Sequence, residues 1–171
     1  MQTPILTLEH FIESEGITLK YSVSNATGKP IQLLDRAWCR DEGGQPTLMP
    51  ATAIVQPNMD HMAVDVIRGF YTHPAANISN ETFPGLSTVR EGESLQGEVF
   101  IPLPIKYWHP DLGSSQPAQT PMRGTFKLGF FAFVANSEDM ALPNGQTIQV
   151  PSSLDVRTNQ QWLISPPFDL N

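Results

Sequence analysis

Apolar and polar residues alternate along several short stretches of the chain, and no stretch sustains the apolar spacing of an amphipathic helix. One run places apolar side chains at every second position: Ile17, Leu19, Tyr21 and Val23. Successive side chains of a β-strand point to opposite faces of a sheet, so this run predicts a strand with one buried face. The alternation is strongest at 126–132, and it predicts a core strand there.

Further apolar runs predict additional strands, and turn residues separate them. These runs contain Ile5, Leu6 and Leu8; Ile31, Leu33 and Leu34; Val64, Val66 and Phe70; Leu95, Val99 and Ile101; Ile148 and Val150; and Trp162 and Ile164. Sixteen prolines and twelve glycines interrupt the chain at short intervals, and the pair Asn144-Gly145 favours a tight hairpin. Many short strands joined by turns predict an all-β protein, and their uneven spacing favours a sandwich over a closed barrel.

The chain of 171 residues has the length of one domain, so we expect a single β-sandwich domain that spans residues 1–171. Two of its connections are long, one from Gly69 to Gly85 and the other from Pro102 to Gly124. Long connections in compact domains commonly carry function, so these two are the first places to look for a site.

The charge of the chain argues against two classes of partner. Its net charge is −7, from 17 acidic and 10 basic side chains, and the basic residues are scattered along the sequence. Nucleic acids and anionic membranes are bound by clustered positive charge, so we expect neither as a partner. The longest apolar run, residues 130–135, is too short to span a membrane.

Two features lead us to expect a cytoplasmic protein. The amino-terminal sequence shows neither the basic segment nor the apolar segment of a signal peptide. The single cysteine, Cys39, cannot form an internal disulfide, which fits a reducing compartment.

The residue types that carry most enzyme chemistry form no recognisable motif. The four histidines, His10, His61, His73 and His109, have none of the short spacings that place two ligands on one metal ion. The chain contains no Gly-x-Ser-x-Gly elbow, no phosphate-binding glycine loop and no dinucleotide fingerprint. The sequence therefore predicts no catalytic residue, no metal and no cofactor, although histidines from several loops could still converge.

The stretch "YSVSNATGKPIQLLDRAW", residues 21–38, joins two predicted strands through a turn. Its end brings an acid, a base and a tryptophan together in sequence, which raises the question of a catalytic element. We expect Asp35 and Arg36 to be a charge pair at the end of a strand, and Trp38 to fill the core. Cys39 is expected to be a lone, half-buried cysteine, since free cysteine commonly behaves as a small apolar residue.

Three stretches carry a family resemblance. They are "GITLKYSVSNATGKPIQLL" (16–34), "VREGESLQGEVFIPLP" (89–104) and "RGTFKLGFFAF" (123–133). They resemble the first hairpin, a later strand and the penultimate strand of bacterial immunoglobulin-like domains of the intracellular proteinase inhibitor type. The resemblance implies an immunoglobulin-like antiparallel β-sandwich with two long loops. It implies no inhibitory residue, because "LLDRAWCRDEGG" (33–44) departs from the Gly-Gln and aromatic-Asp pattern of that family.

A repeated motif marks the two long connections. The pattern Tyr-x-His-Pro occurs at 71–74 and again at 107–110. If both connections lie at one end of the sandwich, five side chains form a shared patch: Tyr71, His73, Tyr107, Trp108 and His109. Exposed Tyr and Trp are frequent anchors of protein interfaces, so these five are the predicted binding residues.

The expected function is that of a non-enzymatic binding module for a protein partner, with an inhibitor or a toxin-neutralising, immunity-type protein as analogies. Two alternatives stay open. One is a metal-dependent hydrolase that uses loop histidines. The other is a carbohydrate-binding module in which Trp38, Trp108 or Trp162 stacks on sugar rings, and the exposure of these side chains distinguishes it.

Overall fold

The computed structural model describes residues 2–58, 62–70, 83–109, 113–115, 119–152 and 158–171. Within them the chain forms fifteen strands: β1 (Ile5–Ile12), β2 (Gly16–Ser24), β3 (Ile31–Arg40), β4 (Pro46–Leu48), β5 (Ile54–Pro57), β6 (Ala63–Arg68), β7 (Phe83–Val89), β8 (Ser94–Pro102), β9 (Tyr107–His109), β10 (Gly113–Ser115), β11 (Arg123–Phe131), β12 (Ser137–Ala141), β13 (Thr147–Pro151), β14 (Gln161–Ile164) and β15 (Phe168–Asp169). The predicted all-β class is confirmed.

The smaller of the two main sheets has three antiparallel strands in the order β1-β2-β8. β1 and β2 form a hairpin whose register runs without interruption from Ile5↔Ser24 to Ile12↔Ile17. β2 then pairs with β8 along its whole length. The alternation seen in the sequence of β2 sends every second side chain towards the larger sheet, as predicted.

The larger sheet is built around β11, the strand that the alternation at 126–132 predicts. Its order is β12-β13-β7-β3-β11-β6-β5, and β14 and β15 also pair with β11, as β4 does with β3. β6 runs parallel to the first part of β11, with Ala63 opposite Arg123 and Arg68 opposite Leu128. β3 pairs with the last two residues of β11. β11 therefore joins several strands along successive parts of its length.

The two sheets pack face to face, and the main apolar core lies between them. Its buried members include Ile17, Leu19, Tyr21, Val23, Val64, Val66, Val99, Ile101, Phe126, Leu128 and Phe130. Phe126 and Leu128 are both 0% exposed. Because full burial of such a side chain contributes about 1.5–3 kcal/mol, the inward positions of β2 and β11 account for much of the stability of the sandwich.

A smaller apolar cluster lies where the hairpin of β12 and β13 extends the larger sheet beyond β7. Trp38 packs there against Phe83, with 4.8 Å between the ring centroids, and close to Leu142 and Ile148. Trp38 is 8% exposed, so its predicted place in the core is confirmed.

The two long connections differ in what the structure shows. The connection from Pro102 to Gly124 contains β9 and β10, which form a small antiparallel hairpin. β9 lies beside β5, at the edge of the larger sheet. Of the connection from Gly69 to Gly85, residues 71–82 lie outside the described residues, and β7 begins at Phe83.

Candidate functional site

The five predicted binding residues are only partly within the described chain. Tyr71 and His73 lie outside the described residues. Trp108 and His109 follow Tyr107 in β9, and the structure describes their backbone. Tyr107 is half-buried and packs against the main core, and burial raises the pKa of its phenol. The shared patch of the two Tyr-x-His-Pro motifs therefore stays a prediction.

The most polar group inside the sandwich is the guanidinium of Arg68, at the end of β6. Arg68 is 4% exposed. Its Nη1 donates to Tyr21 Oη at 3.0 Å and to the backbone carbonyl of Asp35 at 2.9 Å. Its Nε donates to the carbonyl of Thr52 at 3.0 Å, and its Nη2 donates to the carbonyl of Pro50. One side chain thus links β2, β3, β6 and the connection between β4 and β5.

Tyr21, Asp35 and Arg68 form what we call the Arg68 cluster, and burial governs the pKa of its two acids. Burial raises the pKa of Tyr21 to about 12, and the nearby Arg68 charge opposes this rise. Burial also raises the pKa of Asp35, whose Oδ1 is buried without a hydrogen-bond partner in the described part of the chain.

The expected charge pair of Asp35 and Arg36 at a strand end is wrong. Both residues lie inside β3, where the register with β7 shifts between Leu33 and Arg36. Arg36 is exposed, and its Nε donates to Ser87 Oγ at 3.2 Å. The Asp35 carboxyl is buried beside this irregularity and is hydrogen-bonded by Ser87, whereas Arg68 contacts the backbone carbonyl of Asp35. Alternation alone does not reveal this shift.

The Arg68 cluster is suited to holding the fold together rather than to catalysing a reaction. A phenol with a raised pKa stays protonated at neutral pH, so Tyr21 is not an activated nucleophile. The donors of Arg68 are used by carbonyl oxygens and by Tyr21. A hollow of about 20 Å³ beside Arg68 has room for about one water molecule. Within the described ranges, no group of three or more His, Cys, Asp or Glu side chains could hold a metal ion.

Asp35→Asn is expected to stabilise the protein at neutral pH. An acid whose pKa is raised by folding favours the folded state at low pH, and this contribution is lost as the pH rises through the folded pKa. Asparagine carries no charge to bury, so its advantage should close below pH 3.8, the ordinary pKa of the Asp35 carboxyl. Urea unfolding of the wild type and of Asp35→Asn, from below pH 3.8 to neutral pH, measures the difference in their free energies of unfolding. An advantage that grows towards acid pH would contradict the assignment.

A second feature is an exposed apolar patch on the smaller sheet. It consists of Phe11 and Phe100 on the outer face of the sheet, whose exposed fractions are 45% and 37%. Phe11 and Phe100 stand in one cross-strand row, because each is paired with Thr18 of the central strand. Ile12 and Leu103 are also exposed, but Ile12 points to the opposite face from its neighbour Phe11, and Leu103 lies beyond the end of β8. We call Phe11 and Phe100 the Phe11–Phe100 patch.

Acidic side chains border the Phe11–Phe100 patch. The next cross-strand row is Glu9, Lys20 and Glu98, and the hairpin turn carries two further carboxylates: Glu13 and Glu15. All five of these side chains are exposed. Lys20 lies over the Phe11 ring, with its Nζ 5.3 Å from the ring centroid. Four carboxylates against one ammonium group give this part of the surface a negative potential.

Sequence reasoning missed the Phe11–Phe100 patch, although a signal for it exists. Val99, Phe100 and Ile101 are three consecutive apolar residues in a strand. Side chains in a strand alternate between faces, so one of the three must point away from the core. Val99 and Ile101 are buried, which leaves Phe100 on the outer face.

Two of the three tryptophans do not favour the sugar-stacking alternative, and the side chain of the third, Trp108, lies outside what the structure describes. Trp38 is buried and cannot stack on a ligand. Trp162 is half-buried, and its ring packs so closely on Gly69 that an added Cβ there would lie 2.9 Å from it.

Comparison of the chain with protein-family models, with curated proteins and with solved structures finds no match. In the part of the chain that the structure describes, no helix has the length and apolar character needed to cross a membrane.

Proposed function

We propose that the chain is a non-enzymatic binding module that engages a protein partner through the Phe11–Phe100 patch. The exposure of two phenylalanines in one row of a sheet carries this proposal. Apolar groups that are exposed together mark interaction surfaces, and aromatic anchors contribute most of the binding energy of such surfaces. The charged side chains around the patch match the polar rim of a protein interface.

The border of carboxylates supports a partner whose complementary surface is basic. Opposite charges at the rim of an interface accelerate association and exclude partners of the wrong sign. An acidic binding module for a basic protein is compatible with the inhibitor or immunity-type role expected from the sequence. A cytoplasmic setting belongs to the same proposal, on the evidence of the single cysteine, Cys39.

We also propose an immunoglobulin-like topology for the sandwich. In that fold, strands A, B and E share one sheet, and strands C, F and G share the other. The order β1-β2-β8 supports the assignment of these strands as A, B and E. The pairing of β11 with both β3 and β14 supports the assignment of β3, β11 and β14 as C, F and G. The parallel pairing of β6 with β11 is an addition to this plan.

Replacing the two aromatics of the patch is expected to abolish partner binding. Phe11→Ser and Phe100→Ser remove apolar surface that is already partly exposed, so each variant should keep a melting temperature close to that of the wild type. Because a buried aromatic anchor contributes about 2 kcal/mol or more to an interface, each variant should bind at least about tenfold more weakly. Affinity capture from the native lysate, followed by titration of the recovered protein, measures this loss.

Ile164→Ser is the matched control for these two variants. Ile164 is 57% exposed, but it lies on β14 of the larger sheet and not in the patch. The control should recover the same partner as the wild type. If the Phe11 and Phe100 variants also recover it with unchanged affinity, the proposed site is wrong.

A further inference from the structure

The edge of the smaller sheet formed by β1 is long and open. β1 has eight residues, and among the described residues it pairs with β2 on one side only. The opposite edge of this sheet, β8, is covered near its end, since Phe100 N donates to the Ala51 carbonyl at 2.9 Å.

The hairpin turn determines which backbone groups of β1 face the open edge. Glu13 N donates to the Gly16 carbonyl at 2.9 Å, so these two residues form a hydrogen-bonded pair. Hydrogen-bonded and non-hydrogen-bonded pairs alternate along antiparallel strands. The odd-numbered residues of β1 therefore bond to β2. The N–H and C=O groups of the even-numbered residues point away from β2: Leu6, Leu8, His10 and Ile12.

β1 has few of the features by which proteins usually protect an edge strand. Such features are proline, charged side chains and above all lysine, a bulge, or a length of only a few residues. Of these, β1 carries only the charge of Glu9. The sequence of β1, "ILTLEHFI", contains neither proline nor lysine, and its register with β2 is continuous. A weakly protected edge of this length is a template for a further strand.

We propose that β1 accepts an extended, basic segment of the partner protein as a fourth strand of the smaller sheet. This inference rests on the proposed function and specifies how the partner binds. Lysine or arginine side chains on the outer face of the added strand would lie beside Glu9, and close to Glu13 at the hairpin end. Apolar side chains between them would face the sandwich, next to the partly buried Leu6 and Leu8. The added strand would also adjoin Phe11.

The same charges disfavour a second copy of this chain as the occupant of the edge. Each copy has a net charge of −7. Two-fold pairing of β1 with itself is antiparallel, so it would bring the Glu9 carboxylates of both copies close together near the middle of the interface, and like charges in such proximity are unfavourable. A basic segment would instead place positive charges beside these carboxylates, which is favourable.

A proline placed at an outward-facing position tests the inference. His10 is exposed and its N–H points to the open edge, so His10→Pro removes one donor without breaking a β1–β2 hydrogen bond. His10→Ala is the matched control, because it removes the same imidazole, which lies 5.4 Å from the Phe168 ring, but keeps the N–H. The probe is a peptide of alternating lysine and valine, compared with a peptide of alternating glutamate and valine.

The lysine–valine peptide should bind the wild type and His10→Ala equally, and His10→Pro at least about tenfold more weakly. It should slow hydrogen exchange at the amides of Leu6, Leu8 and Ile12. The glutamate–valine peptide should not bind. Equal binding to His10→Pro, no binding of the lysine–valine peptide, or no slowing of exchange would each overturn the inference. If hydrogen exchange at the same amides slows as the protein concentration rises, in the absence of peptide, the edge binds a second copy of the chain instead.

The two proposals fail in distinguishable ways. If His10→Pro still captures the protein partner while Phe11→Ser and Phe100→Ser do not, the patch binds the partner without strand addition. The inference then fails and the proposed function stands. If all three variants capture the partner as the wild type does, both fail.

Discussion

Arg68→Ala is expected to lower the free energy of unfolding by about 3–5 kcal/mol, the largest effect of any single substitution considered for this chain. The guanidinium of Arg68 is almost completely buried and supplies donors to the carbonyls of Pro50, Asp35 and Thr52 and to Tyr21 Oη. Removing it leaves several buried acceptors without a donor. It also releases the connection between β4 and β5, which is held to β6 through two of these bonds. Urea unfolding at neutral pH measures the change.

Arg36→Ala is the matched control for this prediction. Arg36 is an exposed arginine on β3 with one hydrogen bond, to Ser87 Oγ. Its loss should cost less than about 1 kcal/mol. Arg68→Met keeps most of the apolar stem of the side chain. Compared with Arg68→Ala, it should therefore recover the packing but not the hydrogen-bond donors of the guanidinium. If Arg68→Ala costs no more than Arg36→Ala, the carbonyls around Arg68 are satisfied by water and the cluster is not a structural tie.

Gly97→Ala should destabilise the protein by about 1–3 kcal/mol, although alanine normally suits a strand at least as well as glycine does. Gly97 of β8 is paired with Tyr21 of β2, and the Tyr21 ring crosses the space that a side chain at position 97 would occupy. A Cβ on Gly97 would lie 2.2 Å from Tyr21 Oη. The tyrosine would have to move, and its hydrogen bond with Arg68 would move with it.

A double-mutant cycle separates this clash from a general effect of glycine replacement. In a Tyr21→Leu background the ring is gone, so Gly97→Ala should cost much less than in the wild type. Gly43→Ala is a second control, because Gly43 lies in an exposed turn where the nearest group to an added Cβ is the Asp41 carboxylate at 3.3 Å. Its effect should stay within about 0.5 kcal/mol. Additive effects of Gly97→Ala and Tyr21→Leu would refute the steric explanation.

Predictions from the sequence were most successful for strands that bury one face and expose the other. β2, β8 and β11 lie where the apolar residues recur at every second position, and Phe126 is fully buried as expected. β7 and β12 were not predicted, and the shorter strands β4, β5, β9 and β10 were missed as well. These four short strands have only three or four residues each, too few to show a period. They are strands because longer neighbours supply hydrogen-bond partners, as β3 does for β4.

The candidate site was less predictable than the fold. The sequence directed attention to two Tyr-x-His-Pro motifs, and the structure describes only Tyr107 of these five side chains in detail. The Phe11–Phe100 patch went unnoticed because its members are distant in sequence. Phe11 and Phe100 become neighbours only through the registers of β1 and β8 with β2.

The sequence by itself determined the all-β class, several of the longer strands and the side chains that β2 and β11 turn inwards. These properties depend on a two-residue period and on local turn residues, both of which can be read along the chain. Only the tertiary structure decided that Arg68 turns into the core, that the Asp35 carboxyl is buried beside an irregularity in β3, and that β1 is left as an open edge. Those outcomes depend on which strands pair and in which register. Such pairings bring together residues far apart in sequence, and no local pattern specifies them.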